Sequence, residues 1–177
     1  MARLIIGGLF FGHGAQKLFG WFGGPGPEGT EKMMETLDMH PPREQAKLAA
    51  WAETAGGAML ALGFLTPLAG AALTGSMVTA IRKVHAPNGL WNQDQGYEYN
   101  LALIAAMAAL IDGGPGKPSI DGALGIECTG PAWTIASLAA GAAGSTLAIE
   151  MGRSIAQQSR DEQGEAAASP QPQPVGA

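Results

Sequence analysis

The sequence predicts an all-α integral membrane protein, a four-helix bundle with a fifth, C-terminal transmembrane helix. Three observations carry that expectation. Charged residues make up only 14% of the 177 positions, against about 25% in a soluble domain. Most of the 27 glycines fall inside apolar segments, where soluble helices avoid them and membrane helices use them for close backbone contact. Apolar segments also recur along the chain with Trp21, Trp51, Trp91, Trp133, Tyr97 and Tyr99 near their edges, as in an interfacial aromatic belt. Mean hydropathy is only +0.10, because the polar first loop and C-terminal tail lower it.

Segment one runs from Arg3 to Leu18 and ends in a glycine-rich turn with Trp21 and Phe22. Gly8 and Gly12, one helical turn apart, predict its contact stripe. The first loop, 23–43, contains a short amphipathic helix over 30–38, with Thr30 as N-cap and Met33, Met34 and Leu37 on one face. It is expected at the interface or over the bundle mouth. Segment two, 44–66, is the clearest. Leu48 to Leu65 spans roughly 27 Å as a helix, enough to cross a bilayer.

Thr66-Pro67 returns the chain at once, so segment three, 68–84, is an antiparallel neighbour with small residues paired as Ala71/Gly75 and Ala72/Ser76. Segment four, 98–111, is short. A connector holding Ser119, Asp121 and Cys128 leads to the alanine-rich fifth segment, 131–149. From Arg153 the chain is polar and then Pro/Gln-rich, the composition of a disordered tail. The expected organisation is a bundle domain over 1–125, an extra transmembrane helix over 126–152 and a polar tail over 153–177.

Net charge is −5 with no basic stripe, which argues against nucleic acid as a partner. The single Cys128 makes no intramolecular disulfide, and there is no zinc pattern. Residues 1–20 lack the basic n-region and small-x-small site of a signal peptide, so segment one is expected to be retained. Lys17, Lys32, Arg43, Lys47, Arg82, Lys83, Arg153 and Arg160 fall on one side of a five-span map, Arg3 and Lys117 on the other. That bias puts both polar loops and the tail in the cytoplasm.

Glu53 is the leading catalytic candidate: a carboxylate inside an apolar helix is costly unless paired or protonated. A structural role, pairing with Lys17 or Lys47, competes with a role in proton relay. His13 and Lys17 are four apart on segment one and point to one side. Topology places His13, Lys17, Glu53, His85, Asn88 and Glu98 at one mouth of the bundle, with Trp91 in the same loop as Asn88. His85, Asn88, Glu98 and Trp91 are the candidate cofactor-binding residues. A bis-histidine haem, a His/Glu metal site and a pocket for a quinone headgroup or small thiol compete for this cluster, and only the last is supplied by donors beside apolar walls. No metal ligand set is assigned.

Four motifs occur in order: His13-Gly-Ala-Gln16-Lys17-Leu-Phe-Gly-Trp21; Glu53 with Gly56-Gly57 and Gly63-Phe-Leu-Thr-Pro67; His85-Ala-Pro-Asn88-Gly89; and Gly96-Tyr97-Glu98-Tyr99. Over residues 3–125 the chain closely resembles the DoxX family of small bacterial membrane proteins. The resemblance implies a four-helix membrane bundle in the bacterial plasma membrane, related to the DoxD subunit of thiosulfate:quinone oxidoreductase. It also implies links to thiol and oxidative-stress handling as a membrane partner of soluble redox enzymes. The fifth segment and tail lie outside that pattern.

The expected function is therefore a membrane subunit or partner in thiol- or sulfur-to-quinone redox chemistry, with quinone as the cofactor. A non-catalytic docking or assembly protein is the alternative, and the Gly/Ala stripes leave room for a homo-oligomer.

Overall fold

The computed structural model describes residues 1–168. Among them the architecture is all-helical: α1 (Ala2–Phe19), α2 (Gly26–Thr36), α3 (Pro42–Leu62), α4 (Thr66–Ala80), α5 (Glu98–Asp112), the short α6 (Ile120–Leu124) and α7 (Pro131–Ala168). α1 packs chiefly on α3, and α4 stands between α3, α5 and α7. Phe10, Leu60, Ala69, Leu73, Met77 and Met107 form the main core, drawn from α1, α3, α4 and α5.

The α1–α3 contact is made by backbone rather than side chains. A Cβ on Gly7 would lie 2.5 Å from the Ala61 nitrogen, and one on Gly57 would lie 2.4 Å from the Phe11 nitrogen. Gly8 and Gly12, expected as the contact stripe, have nothing within 4 Å of a Cβ. The stripe is displaced by one residue, about 100° around a helix. The Ala71/Gly75 stripe does meet a neighbour: a Cβ on Gly141 of α7 would lie 2.5 Å from the Ala71 carbonyl oxygen. The fifth helix thus packs directly on α4.

α2 begins four residues earlier than expected, because Gly26-Pro27 opens it. Thr30 is therefore inside the helix, where its hydroxyl donates to the Gly26 carbonyl at 2.6 Å instead of capping. Of its apolar face, Met34 and Leu37 turn inward while Met33 stays exposed. Met34 is 6% exposed and packs with Met39, Ala46 and Ile149 of α7. α2 is accordingly packed over the bundle.

The sequence places a polar tail without structure from residue 153. α7 instead continues as helix to Ala168, anchored beside α3 by Gln45, whose amide donates to the Ala148 carbonyl at 3.1 Å. Arg160 also reaches Asp38 at 3.6 Å. The remainder of the expected tail lies outside the described residues.

At the end of the bundle nearest Arg3, buried polar groups hold the helix termini. The Asp121 carboxylate accepts from the Leu65 and Thr66 amides at 2.7 and 3.0 Å and from the Thr66 hydroxyl at 2.7 Å. It thereby caps the N-terminus of α4 from α6, satisfying orphan amides and opposing the helix dipole. It also holds Leu65, whose φ of 44° is unusual for a branched side chain. Arg3 does the complementary job, donating to the carbonyls of Ala61, Pro115 and Pro118.

Large apolar side chains stand on the outside, among them Ile5, Leu48, Leu68, Ile135 and Leu147. All four tryptophans are about half exposed. Among the described helices only α7 is by itself long and apolar enough to cross a membrane, over Pro131–Glu162. α4 and α5 have 15 residues each, about 22 Å, while α1 and α3 carry polar and charged residues within their length.

The packing makes opposite predictions for adjacent glycines. Gly7→Ala should cost about 1–3 kcal/mol through overpacking, whereas Gly8→Ala should be neutral or slightly stabilising through helix propensity. Thermal unfolding of the detergent-solubilised protein measures both. Equal losses at the two positions would contradict the α1–α3 contact.

Candidate functional site

The close α1–α3 approach continues at Gly14, where a Cβ would lie 2.4 Å from the Thr54 nitrogen. That contact sets the neighbouring side chains. One turn beyond Gly14, Lys17 donates to the Glu53 carboxylate, next to Thr54 in the chain, and the two form an ion pair. The side chains are 20% and 7% exposed, respectively. The pair is therefore substantially withdrawn from water, and each charge depends on the other. His13, one turn before Lys17, sets its Nδ1 3.2 Å from the Gln16 side-chain oxygen.

His85 arrives from α4. That helix widens at its end into a π-helical turn, Ile81–His85, a feature that re-aims the residues following it. The loop beyond closes on itself, with Glu98 and Tyr97 amides donating to the Leu90 and Gly89 carbonyls at 2.8 and 3.2 Å. It presents the Gln95 carbonyl to His85 Nδ1 at 2.7 Å. A carbonyl can only accept, so Nδ1 carries the proton and Nε2 of the neutral ring is left as an acceptor.

His13, Lys17, Glu53 and His85 line one cavity of about 180 Å³, walled by Phe10, Leu103 and other apolar groups. The topological expectation of convergence holds for these four. The other three candidates stand elsewhere. Asn88 donates to the same Gln95 carbonyl at 3.4 Å, Glu98 accepts the Asn92 amide at 3.0 Å, and Trp91 is largely exposed. Asn88 and Glu98 shape the loop that orients His85, and neither they nor Trp91 lines the cavity.

Sequence reasoning missed Asn100. It sits buried in the first turn of α5, lines the cavity, and donates to the Met77 sulfur at 3.4 Å. An amide at the start of an otherwise apolar helix was the available signal. Among the described residues no group of three or more His, Cys, Asp or Glu side chains is placed to hold a metal. Cys128 follows α6 in the connector, near the end that Arg3 and Asp121 organise.

Chemically, the cavity offers ammonium protons from Lys17, acceptors on Glu53 and His85, and apolar walls. It can hold a small molecule bearing carbonyl or hydroxyl groups and exchange protons with it.

An all-helical bundle with an apolar exterior, a long apolar helix and a sheltered ion pair is a small membrane protein in class. The DoxX family model matches residues 1–86, which supports membership of the DoxX family. The match is shorter than the resemblance over 3–125: it takes in α1 to α4 and His85 and stops before Asn88 and Glu98. No curated protein and no solved structure matches the chain.

The ion pair makes an asymmetric prediction. Lys17→Met strands the nearly buried Glu53 carboxylate and should cost about 3–5 kcal/mol. Adding Glu53→Gln should restore most of that loss, because no uncompensated charge remains. Denaturation of the two single variants and the double variant measures the coupling. Strictly additive losses would show that the pair contributes nothing.

Proposed function

We propose that this protein is a multi-pass bacterial plasma-membrane component of thiol- or sulfur-to-quinone electron transfer, with the headgroup of a quinone at the Lys17–Glu53 cavity. The observation that carries this reading is the buried ion pair sharing one cavity with two imidazoles. α1, α3, α4 with its π-helical turn, and α5 form the membrane bundle, joined by α7 as a fifth span. The exposed apolar side chains of these helices support that placement.

The residues fit such a headgroup. A quinone supplies two-electron, two-proton redox chemistry when bound. The Lys17 ammonium would donate a hydrogen bond to a carbonyl oxygen of the headgroup. Glu53 would take up and pass on a proton beside Lys17, and His85 Nε2 would accept a hydrogen bond from a hydroxyl. His13 extends the polar wall toward the solvent-exposed mouth. Two thiols joining as a disulfide release the two electrons and two protons required.

The donor is a small thiol or sulfur compound, or a soluble redox enzyme that brings one. Without a second cysteine, this chain takes part as a subunit alongside such a donor. The docking alternative, with Met33, Met34 and Leu37 as its surface, is less favoured, because Met34 is already covered by Met39, Ala46 and Ile149 and Leu37 packs against the same cluster, which leaves Met33 alone exposed.

Quinone reduction by purified, detergent-solubilised protein, with thiosulfate or a small thiol as donor, tests the reading. Wild type should turn over, and Glu53→Gln should lose at least about 100-fold in rate, the usual weight of a proton-transfer group. Turnover unchanged by Glu53→Gln would remove Glu53 from the mechanism. No wild-type turnover with any donor would favour an accessory, non-catalytic membrane protein, and co-purifying partners would then be sought.

A further inference from the structure

A second, larger cavity of about 630 Å³ adjoins the first, running between α3, α4 and α7 beneath α2. The two cavities share Lys17, Glu53, Ala80 and His85. From His85 the larger one follows α4 back to Leu68, about 26 Å at the helical rise. That exceeds half of the roughly 30 Å hydrocarbon core of a bilayer, the depth one leaflet's chains occupy. Its walls away from the shared residues are mostly apolar or small, including Leu48, Ala52, Ala72 and Ala148. Leu48 and Leu68 line it while remaining over half exposed, so the cleft reaches the apolar outer surface of the bundle.

We infer that the two cavities form one head-and-chain site for a long-chain amphiphile with an uncharged carbonyl or hydroxyl head, entering sideways from the membrane. The inference rests on the reading of the smaller cavity as a headgroup site and extends it to the chain. Charge selects the head. Lys17 is neutralised by Glu53, and a carboxylate or phosphate head would have to compete with Glu53 for the ammonium. An uncharged head takes one of the two remaining ammonium protons and the free acceptors and leaves the pair intact. Lys83, also in the cleft wall, donates to the Asp38 carbonyl at 3.4 Å. A cleft of apolar and small side chains supplies affinity for a flexible chain but no direction, while the polar group at one end fixes which way the ligand lies.

The test measures binding without any electron donor, so it is independent of turnover. The probes are a benzoquinone carrying a decyl chain and the same ring without it, titrated into detergent-solubilised protein. Wild type should bind the decyl probe at least about tenfold more tightly. Ala52→Phe and Ala72→Phe narrow the cleft from opposite walls and should abolish that advantage while leaving the short probe's affinity unchanged. Two variants, each checked for helix content and unfolding temperature, guard against one that fails to fold.

An equal chain advantage in wild type and both folded variants would mean partition into detergent and would overturn the inference. So would failure to bind either probe, or displacement of the decyl probe by phosphatidylglycerol as readily as by its own hydroquinone. Chain-dependent binding without turnover would leave this site standing and remove the redox reading alone.

Discussion

A carboxylate set among packed apolar helices has to be neutralised, and in this protein Lys17 neutralises Glu53. The pair lies across the α1–α3 contact, so the two helices must hold one register for it to exist. Gly7, Gly14 and Gly57 supply that register by letting backbones touch where any side chain would separate them. Close packing and charge compensation are thus the same constraint seen from two sides. Slipping α1 by one residue would turn Lys17 by about 100° and leave Glu53 alone in low dielectric.

The two ends of the bundle use buried polarity differently. Around Asp121 and Arg3 the hydrogen-bonding groups are spent on helix termini: the carboxylate on orphan amides of α4 and the guanidinium on carbonyls at the end of α3 and in the connector. At the other end Lys17, Glu53 and His85 are bonded but retain free donors or acceptors facing cavities. The first end spends its polar groups on helix termini, and the second keeps polar atoms facing the cavities. This division also explains the loop after His85, which closes largely on its own backbone and side chains and holds one ring in place.

Much of the candidate site was legible before any coordinates. Ionisable residues in apolar segments are few, and an up-and-down topology sends His13, Lys17, Glu53 and His85 toward one mouth. Asn88, Glu98 and Trp91 share that mouth along the chain, but hydrogen bonds internal to their loop turn the first two away from the cavity. Asn100 escaped because an amide at a helix start reads as a boundary residue, and burial is a property of its neighbours. The contact stripe on α1 was misplaced because Gly7, Gly8, Gly12 and Gly14 are alike in composition, and only the partner helix distinguishes them.

The sequence by itself determined the helical class, the turns, most helix limits and the residues whose charge could not be left alone. These follow from local propensity and the cost of placing polar groups among apolar ones. Tertiary structure decided which glycines touch, that α7 belongs to the bundle and runs on past residue 153, that α2 turns Met34 inward, and that two cavities meet at the ion pair. Each of those depends on the shape of a surface far away in sequence. No local pattern records that shape, because packing energy is a property of two surfaces together.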